Sequence, residues 1–265
     1  MLDKIIAHKK TELSRRKEVV PLNLLENILP GLPPTRPLAK ALRRSGQVAV
    51  IAEVKKASPS KGILCKDFDP VIIAREYEKA GAAAISVLTE EKFFLGHHAH
   101  LALVKKTTVL PVLRKDFIIA PYQIYESRAL GADAVLLIAA LLPGKQVEQL
   151  MSLAGDLGLS SLVEVHTEQE LEHVLSAGAT LIGINNRDLK TFVTDINRTF
   201  ELSDLIDKQN ITVVSESGIK SRADILRLEI KGIHAALVGE ALVRHLCPGE
   251  ALKELTGSTG QEGDV

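Results

Sequence analysis

The stretch GADAVLLI at residues 131–138 opens on a glycine and runs into an unbroken apolar segment. The same figure recurs as GAAAISVL (81–88), GATLIGIN (178–185) and GIHAALVG (232–239). Glycine tolerates the left-handed conformation that closes a helix, so each figure reads as a helix end followed by a strand. Runs of Val, Ile, Leu and Ala without polar alternation suit parallel strands covered on both faces. Four more strands fall between these: VAVIAEVK (48–55), VLPVLRK (109–115), SLVEV (161–165) and ITVVSES (211–217). Helical stretches at 70–80, 121–130, 144–157 and 221–231 separate them. Eight strands alternating with helices predict a single closed (β/α)8 barrel, and 265 residues fit the roughly 250 such a barrel needs.

Outside the barrel the sequence predicts two further pieces. Residues 1–46 form a helical extension that caps the barrel, residues 47–256 the barrel itself, and 257–265 (GSTGQEGDV) a small, polar, disordered tail. Within the extension, 1–19 read as an amphipathic helix with Leu2, Ile5, Ile6 and Leu13 on one side. Lys9-Lys10 and Arg15-Arg16-Lys17 read as its solvated face. Residues 30–37 are a proline-rich linker and 38–44 a short helix.

Composition narrows the partners. Thirty-three basic residues balance 33 acidic ones, which argues against nucleic-acid binding, a property that runs on excess Lys and Arg. An anionic small molecule must then be held by a local cationic cluster. Cys65 and Cys247 form no C-x-x-C pattern, which suggests neither a disulfide framework nor a zinc site and fits a reducing cytoplasm. The N-terminus lacks the apolar core of a signal peptide, and the longest apolar run, 134–143, is too short to span a bilayer. A monomer or weak homo-oligomer is expected.

The charged residues fall on the strands that lack the leading glycine. The first ends Glu53-Val54-Lys55, the third Arg114-Lys115-Asp116; the fifth carries Glu164 and the seventh Glu216. Side chains two apart share a face, so Glu53 and Lys55 point together, with Ile51 and Ala49 as barrel fillers below them. Asn185 shares its face with Gly183. One strand-end charge is most often solvated or structurally paired. Six polar groups on five strands, Glu53, Lys55, Lys115, Glu164, Asn185 and Glu216, predict convergence over the carboxyl mouth, where barrels build active sites.

The last two strands run into Ser217-Gly218 and Gly239-Glu240. In barrels these loops commonly hold phosphate, with glycines admitting the ligand to the backbone and a helix start offering N–H groups. His97-His98-Ala99-His100 matches no standard metal-ligand spacing and reads as the start of an exposed helix. His166 and His173 carry no signal.

These motifs, IAEVKKASPSKG (51–62), LTEEKFFLG (88–96), PVLRKDFI (111–118), GADAVLLI (131–138), LVEVH (162–166), GINNRDL (183–189), SESGI (215–219) and VGEAL (238–242), stand in one order across residues 1–255. Together they resemble the indole-3-glycerol phosphate synthase family of TIM barrels. The resemblance implies a lyase of tryptophan biosynthesis that works without cofactor or metal. Its substrate would be a carboxyphenylamino-deoxyribulose phosphate; its products indole-glycerol phosphate, carbon dioxide and water. It further implies Lys115 as the acid, Lys55 as the second central lysine, Glu53, Glu164 and Glu216 as the glutamates, and Asn185 and Arg187 as substrate contacts. Ser217, Gly218, Gly239 and Glu240 match the phosphate positions; Ser58, Pro59, Phe94, Phe117 and Leu136 match loop and pocket positions. Glu240 departs from members with serine there, and its carboxylate would repel a phosphate, so only its backbone N–H is expected to serve.

On this reading burial beside Lys55 pushes the Lys115 pKa down, with Glu53 opposing. Glu164 moves the proton in dehydration with Glu53 orienting it, Arg187 grips the substrate carboxylate, and Asn185 binds a hydroxyl. Phe94, Phe117, Leu136 and Leu189 form a slot for the aromatic ring. The rivals are a phosphoribosylanthranilate isomerase, which would want a cysteine where Glu53-Val54-Lys55 stands, a Schiff-base aldolase, which would want a lysine where Asn185 stands, and a non-catalytic sugar-phosphate-binding barrel.

Overall fold

The computed structural model describes residues 1–188 and 193–258. Eight parallel strands close on themselves: β1 (Ala49–Val54), β2 (Ala84–Leu88), β3 (Val112–Lys115), β4 (Ala134–Ile138), β5 (Ser160–Val165), β6 (Leu181–Asn185), β7 (Thr212–Glu216) and β8 (Ala235–Val238). Each pairs with its sequence neighbours, and β1 pairs with β8, so the predicted (β/α)8 barrel is the observed fold. Helices α1 (Leu2–Val19), α2 (Leu22–Ile28) and α3 (Leu38–Leu42) precede it. Between and after the strands run α4 (Pro70–Lys79), α5 (His98–Thr107), α6 (Pro121–Ala129), α7 (Gln146–Asp156), α8 (Glu168–Ser176), α9 (Asn197–Ser203), α10 (Arg222–Ile230), α11 (Glu240–Val243) and α12 (Pro248–Thr256).

The leading glycines behave as read: Gly81, Gly131, Gly178 and Gly232 have φ of 90°, 88°, 84° and 68°, conformations a side chain would strain. β3 starts later than predicted, at Val112, because Pro111 has no N–H to give to a ladder. Asp69, Thr167 and Ser221 cap α4, α8 and α10 with side-chain oxygens that accept free backbone N–H groups.

Alternation divides the apolar residues into two cores. Ala49, Ile51, Leu113, Leu136, Leu162, Val214 and Leu237 fill the barrel interior. Val50, Ala52, Ile85, Val135, Val163 and Val213 face outward and pack under the helices.

The first 46 residues run from one end of the barrel to the other. Helix α1 lies at the mouth, with Met1, Leu2 and Ile5 lining the cavity there. The chain then descends along α6, where Leu13 and Leu25 pack on Tyr122 and the Tyr122 hydroxyl donates to the Val20 carbonyl at 2.8 Å. Arg36 donates to the carbonyls of Thr108 and Leu110, both at 2.7 Å, ahead of β3. Leu38 and Leu42 of α3 then enter the interior core from below, fully buried.

The solvated face expected on α1 is corrected at two positions. Lys9 is 2% exposed and lies 2.8 Å from Asp116 and 2.9 Å from Glu12. Arg16 reaches Glu12, Glu91 and Glu126 at 2.7, 2.8 and 3.1 Å. For Arg16, Glu91 and Glu126 lie 75 and 110 residues away along the chain, which helical periodicity in α1 cannot disclose. Of the tail, 259–265 lie outside the described residues.

Candidate active site

Strand ends aim the charged groups inward because each sits on the same parity as an interior filler. Glu53 follows Ile51, Lys115 follows Leu113, Glu164 follows Leu162, and Glu216 follows Val214. They meet at the floor of a cavity of about 640 Å³. Glu53, Lys55, Ser58, Phe94, Lys115, Phe117, Leu136, Glu164, Asn185, Arg187, Glu216, Ser217, Gly218, Gly239 and Glu240 all line it, so the structure brings together every residue singled out for the site except Leu189, which lies outside the described residues.

Lys115 Nζ stands 3.6 Å from both Glu164 Oε2 and Glu216 Oε2. Lys55 Nζ donates to Glu53 Oε2 at 2.5 Å. Asn185 Nδ2 donates to Glu164 Oε1 at 3.1 Å, while its Oδ1 accepts the Arg187 N–H at 3.0 Å. Glu53 therefore pairs with Lys55 instead of orienting Glu164; the amide of Asn185, on the neighbouring strand β6, does that.

The opposing effects expected at Lys115 resolve in favour of the carboxylates. Burial lowers an ammonium pKa, but Glu164, Glu216 and Glu53 outweigh it and hold Lys115 above its ordinary value. Burial raises Glu53, yet Lys55 and Lys115 outweigh it and keep its carboxyl below the usual range. Glu216 goes the other way. Burial, together with the like charges of Glu164 and Glu53, outweighs Lys115 and pushes it up to about 8.

Beside this cage the β7 turn is strained. Ser217 has φ 65° and Gly218 φ 83°, and left-handed backbone at a residue with a side chain costs about 1 kcal/mol or more. Asn186 holds the turn by donating to Ser215 Oγ at 3.0 Å and to the Ser217 carbonyl at 2.9 Å. Glycine at 239 leaves room the sequence did not show to be needed: a Cβ there would displace the Glu53 carboxylate and Lys55 Nζ from their pair. The Glu240 carboxylate does more than stand aside, lying 3.9 Å from Arg187 and 3.5 Å from Arg244, which offset its charge.

The apolar wall is built by Phe94 and Phe117, whose rings lie 6.1 Å apart at 42°. Leu136 is 1% exposed and serves both the interior core and this wall. Ser58 stands on a short hairpin, Ala57–Ser58 paired with Gly62–Ile63, that helical and strand periodicity missed because each arm has two residues. Also missed was Glu90, whose buried carboxylate accepts the N–H groups of Lys92, Phe93 and Phe94 and so fixes the loop that carries Phe94. Its sequence signal was LTEEKFFLG itself, read only as a motif. The histidine segment does open α5, capped by His97 Nδ1 accepting the Ala99 N–H; the rings of His97 and His98 reach Glu91 at 3.8 and 3.6 Å, an oxygen Arg16 already occupies.

Solved structures similar in fold include a variant of the tryptophan synthase α-subunit of Pyrococcus furiosus, with TM-score 0.60, 14% identity and coverage of 81% of this chain and 99% of that one. 3-Hexulose-6-phosphate synthase is similar at TM-score 0.60 and 15% identity, covering 80% of this chain and 100% of that one. Relatives in sequence are much nearer. A protein of Alkaliphilus metalliredigens named indole-3-glycerol phosphate synthase is 52% identical over 96% of this chain and 97% of its own length. One of Dehalococcoides mccartyi with the same name is 50% identical over 96% and 99%. A sequence profile of that family matches residues 2–255. With motifs, barrel and cage in agreement, the chain belongs to the indole-3-glycerol phosphate synthase family.

Proposed function

We propose that the protein is a carboxy-lyase that closes, decarboxylates and dehydrates 1-(2-carboxyphenylamino)-1-deoxy-D-ribulose 5-phosphate to indole-3-glycerol phosphate. The observation that carries this reading is the Lys115 ammonium suspended 3.6 Å from two carboxylates at the base of a cavity with one apolar wall and one glycine-rich wall. An anthranilate ring fits the Phe94–Phe117 wall. A phosphate fits the turn at Ser217–Gly218 and the backbone N–H groups after Gly239.

The chemistry follows from the charges. The ring carbon that bears the carboxylate attacks the sugar ketone, and negative charge grows on the ketone oxygen. Lys115, an ammonium across the working pH range, stabilises that oxygen and protonates it once the alkoxide becomes the stronger base. Arg187 and Lys55 hold the substrate's anionic groups, Arg187 in fork geometry on the carboxylate. Carbon dioxide then leaves and the ring regains aromaticity. Glu164, oriented by Asn185, removes a proton from the carbon next to nitrogen as the hydroxyl departs as water. Glu216, protonated near neutrality, leaves Lys115 free of a second full charge and can hydrogen-bond a substrate hydroxyl.

The chain has no Trp, so indole fluorescence rising on addition of the substrate reports turnover directly. Absence of that signal, with no carbon dioxide released, would refute the reading. The substrate is a small anion, and no described helix is long and apolar enough to cross a membrane.

A further inference from the structure

We propose that His166 relays a proton between Glu170, at the edge of solvent, and Glu164 in the site, an inference that rests on the reaction proposed above. His166 Nε2 lies 3.7 Å from Glu164 Oε1, and Nδ1 lies 3.6 Å from Glu170 Oε2. One ring thus bridges a carboxylate 2% exposed and another 23% exposed. Neither ring nitrogen makes a hydrogen bond among the described residues. The main chain, by contrast, is fixed on both sides. The His166 N–H donates to Glu170 Oε2 at 2.6 Å, and its carbonyl accepts from Arg198 Nη1 at 2.7 Å. The backbone is held, while among the described residues the ring nitrogens carry no hydrogen bond that would fix one tautomer.

The reaction creates the need for such a path. Two protons must reach the ketone oxygen before it leaves as water. One is recovered from the carbon next to nitrogen. The carboxylate leaves as neutral carbon dioxide and returns none. Each turnover therefore takes one proton from solvent into a mouth that substrate itself plugs. In the relay, the neutral ring bearing Nε2–H accepts a proton at Nδ1 from Glu170. The imidazolium then releases its Nε2 proton to Glu164 Oε1, leaving the electron pair on nitrogen. Glu164 gives that proton to the departing hydroxyl, takes the proton from carbon as a carboxylate, and returns it to the Lys115 amine. A hydronium ion from solvent reprotonates Glu170 and leaves as water, a transient step because, burial notwithstanding, His166 holds that carboxyl below its usual range. A turn of the ring restores the starting tautomer.

The charged groups that face His166 are Glu164 on β5, Glu170 on α8, Arg198 on α9 and Glu216 on β7. Burial favours the neutral ring, but Glu170, Glu164 and Glu216 outweigh it and raise its pKa.

The test compares wild type, His166→Gln and Glu170→Gln by steady-state kinetics against pH, with and without added imidazole. The relay predicts that kcat falls about 10–100-fold in His166→Gln while KM holds, that imidazole restores part of the loss, and that the solvent isotope effect on kcat rises. Unchanged kcat, or a loss that imidazole leaves untouched, overturns it. Ring titration of His166 by NMR supplies a reading independent of turnover: its pKa falls in Glu170→Gln, and an unmoved value also overturns the relay. A wild type inert toward the substrate would remove the reaction and the relay together, whereas an active wild type matched by His166→Gln removes the relay alone.

Discussion

Two clusters of charge stand back to back on β3. Arg114 and Asp116 face outward, toward α1 and α6; Lys115 between them faces the cavity. Outside, three cations (Lys9, Arg16, Arg114) meet four carboxylates (Glu12, Glu91, Asp116, Glu126), and their pairs close at 2.7–3.1 Å. Inside, two cations (Lys55, Lys115) meet three carboxylates, Lys115 sits at 3.6 Å from its partners, and neither Glu216 oxygen has a hydrogen-bond partner among the described residues. The residue types match, but the outer pairs close to contact distance while Lys115 stands off from both of its carboxylates, leaving room between them for a ligand atom.

Substitutions can break or sharpen this contrast. Lys115→Ala should cut turnover by about 10²–10⁴-fold while the product or a substrate analogue still binds, measured by kinetics and by titration calorimetry. Turnover equal to wild type would end the acid assignment. Asp116→Ala leaves Lys9 and Arg114 buried without their shared partner. Its unfolding free energy in urea should drop by about 3–5 kcal/mol, far more than Lys115→Met loses. Equal losses at 115 and 116 would erase the distinction between the clusters.

Glu216→Gln gives a smaller effect with a definite sign. The folded state binds this proton more tightly than the unfolded chain, so Glu216 lowers stability as pH rises from the ordinary carboxyl range towards about 8. The variant's unfolding free energy relative to wild type should climb over that interval, by up to about 1.4 kcal/mol per pH unit; a gap constant with pH would place the proton elsewhere. At the rim of the outer cluster, Glu91 is 28% exposed, and Glu91→Gln should change stability by less than about 1 kcal/mol.

How much of this was legible follows from the range of each interaction. The barrel showed in the glycine-led strands because helix end and strand start are neighbours in sequence. The cage showed because parity along a strand fixes which side chains point inward, and Glu53 with Lys55 needs only two residues to be read. Pairing across strands did not show: that Asn185, not Glu53, holds Glu164 depends on the position of β6 beside β5. Lys9 and Arg16 were misread for the same reason: Glu12 is a helical neighbour of both, but Asp116, Glu91 and Glu126, which bury them, lie far along the chain. Nor could residue types give the direction of the Lys115 shift, which depends on whether Lys55 or the three carboxylates stand nearer.

The descent of the first 46 residues from mouth to floor has a bearing on how the protein is made. Arg16 finds Glu126 only 110 residues later, and at about 5–20 residues per second the ribosome needs on the order of 10 s to supply it. Throughout that interval the nascent α1 carries Ile5, Leu13 and a charged stripe with nothing to dock on. The segment translated first therefore waits on the middle of the chain, and products truncated before Glu126 would expose it to chaperones and proteases.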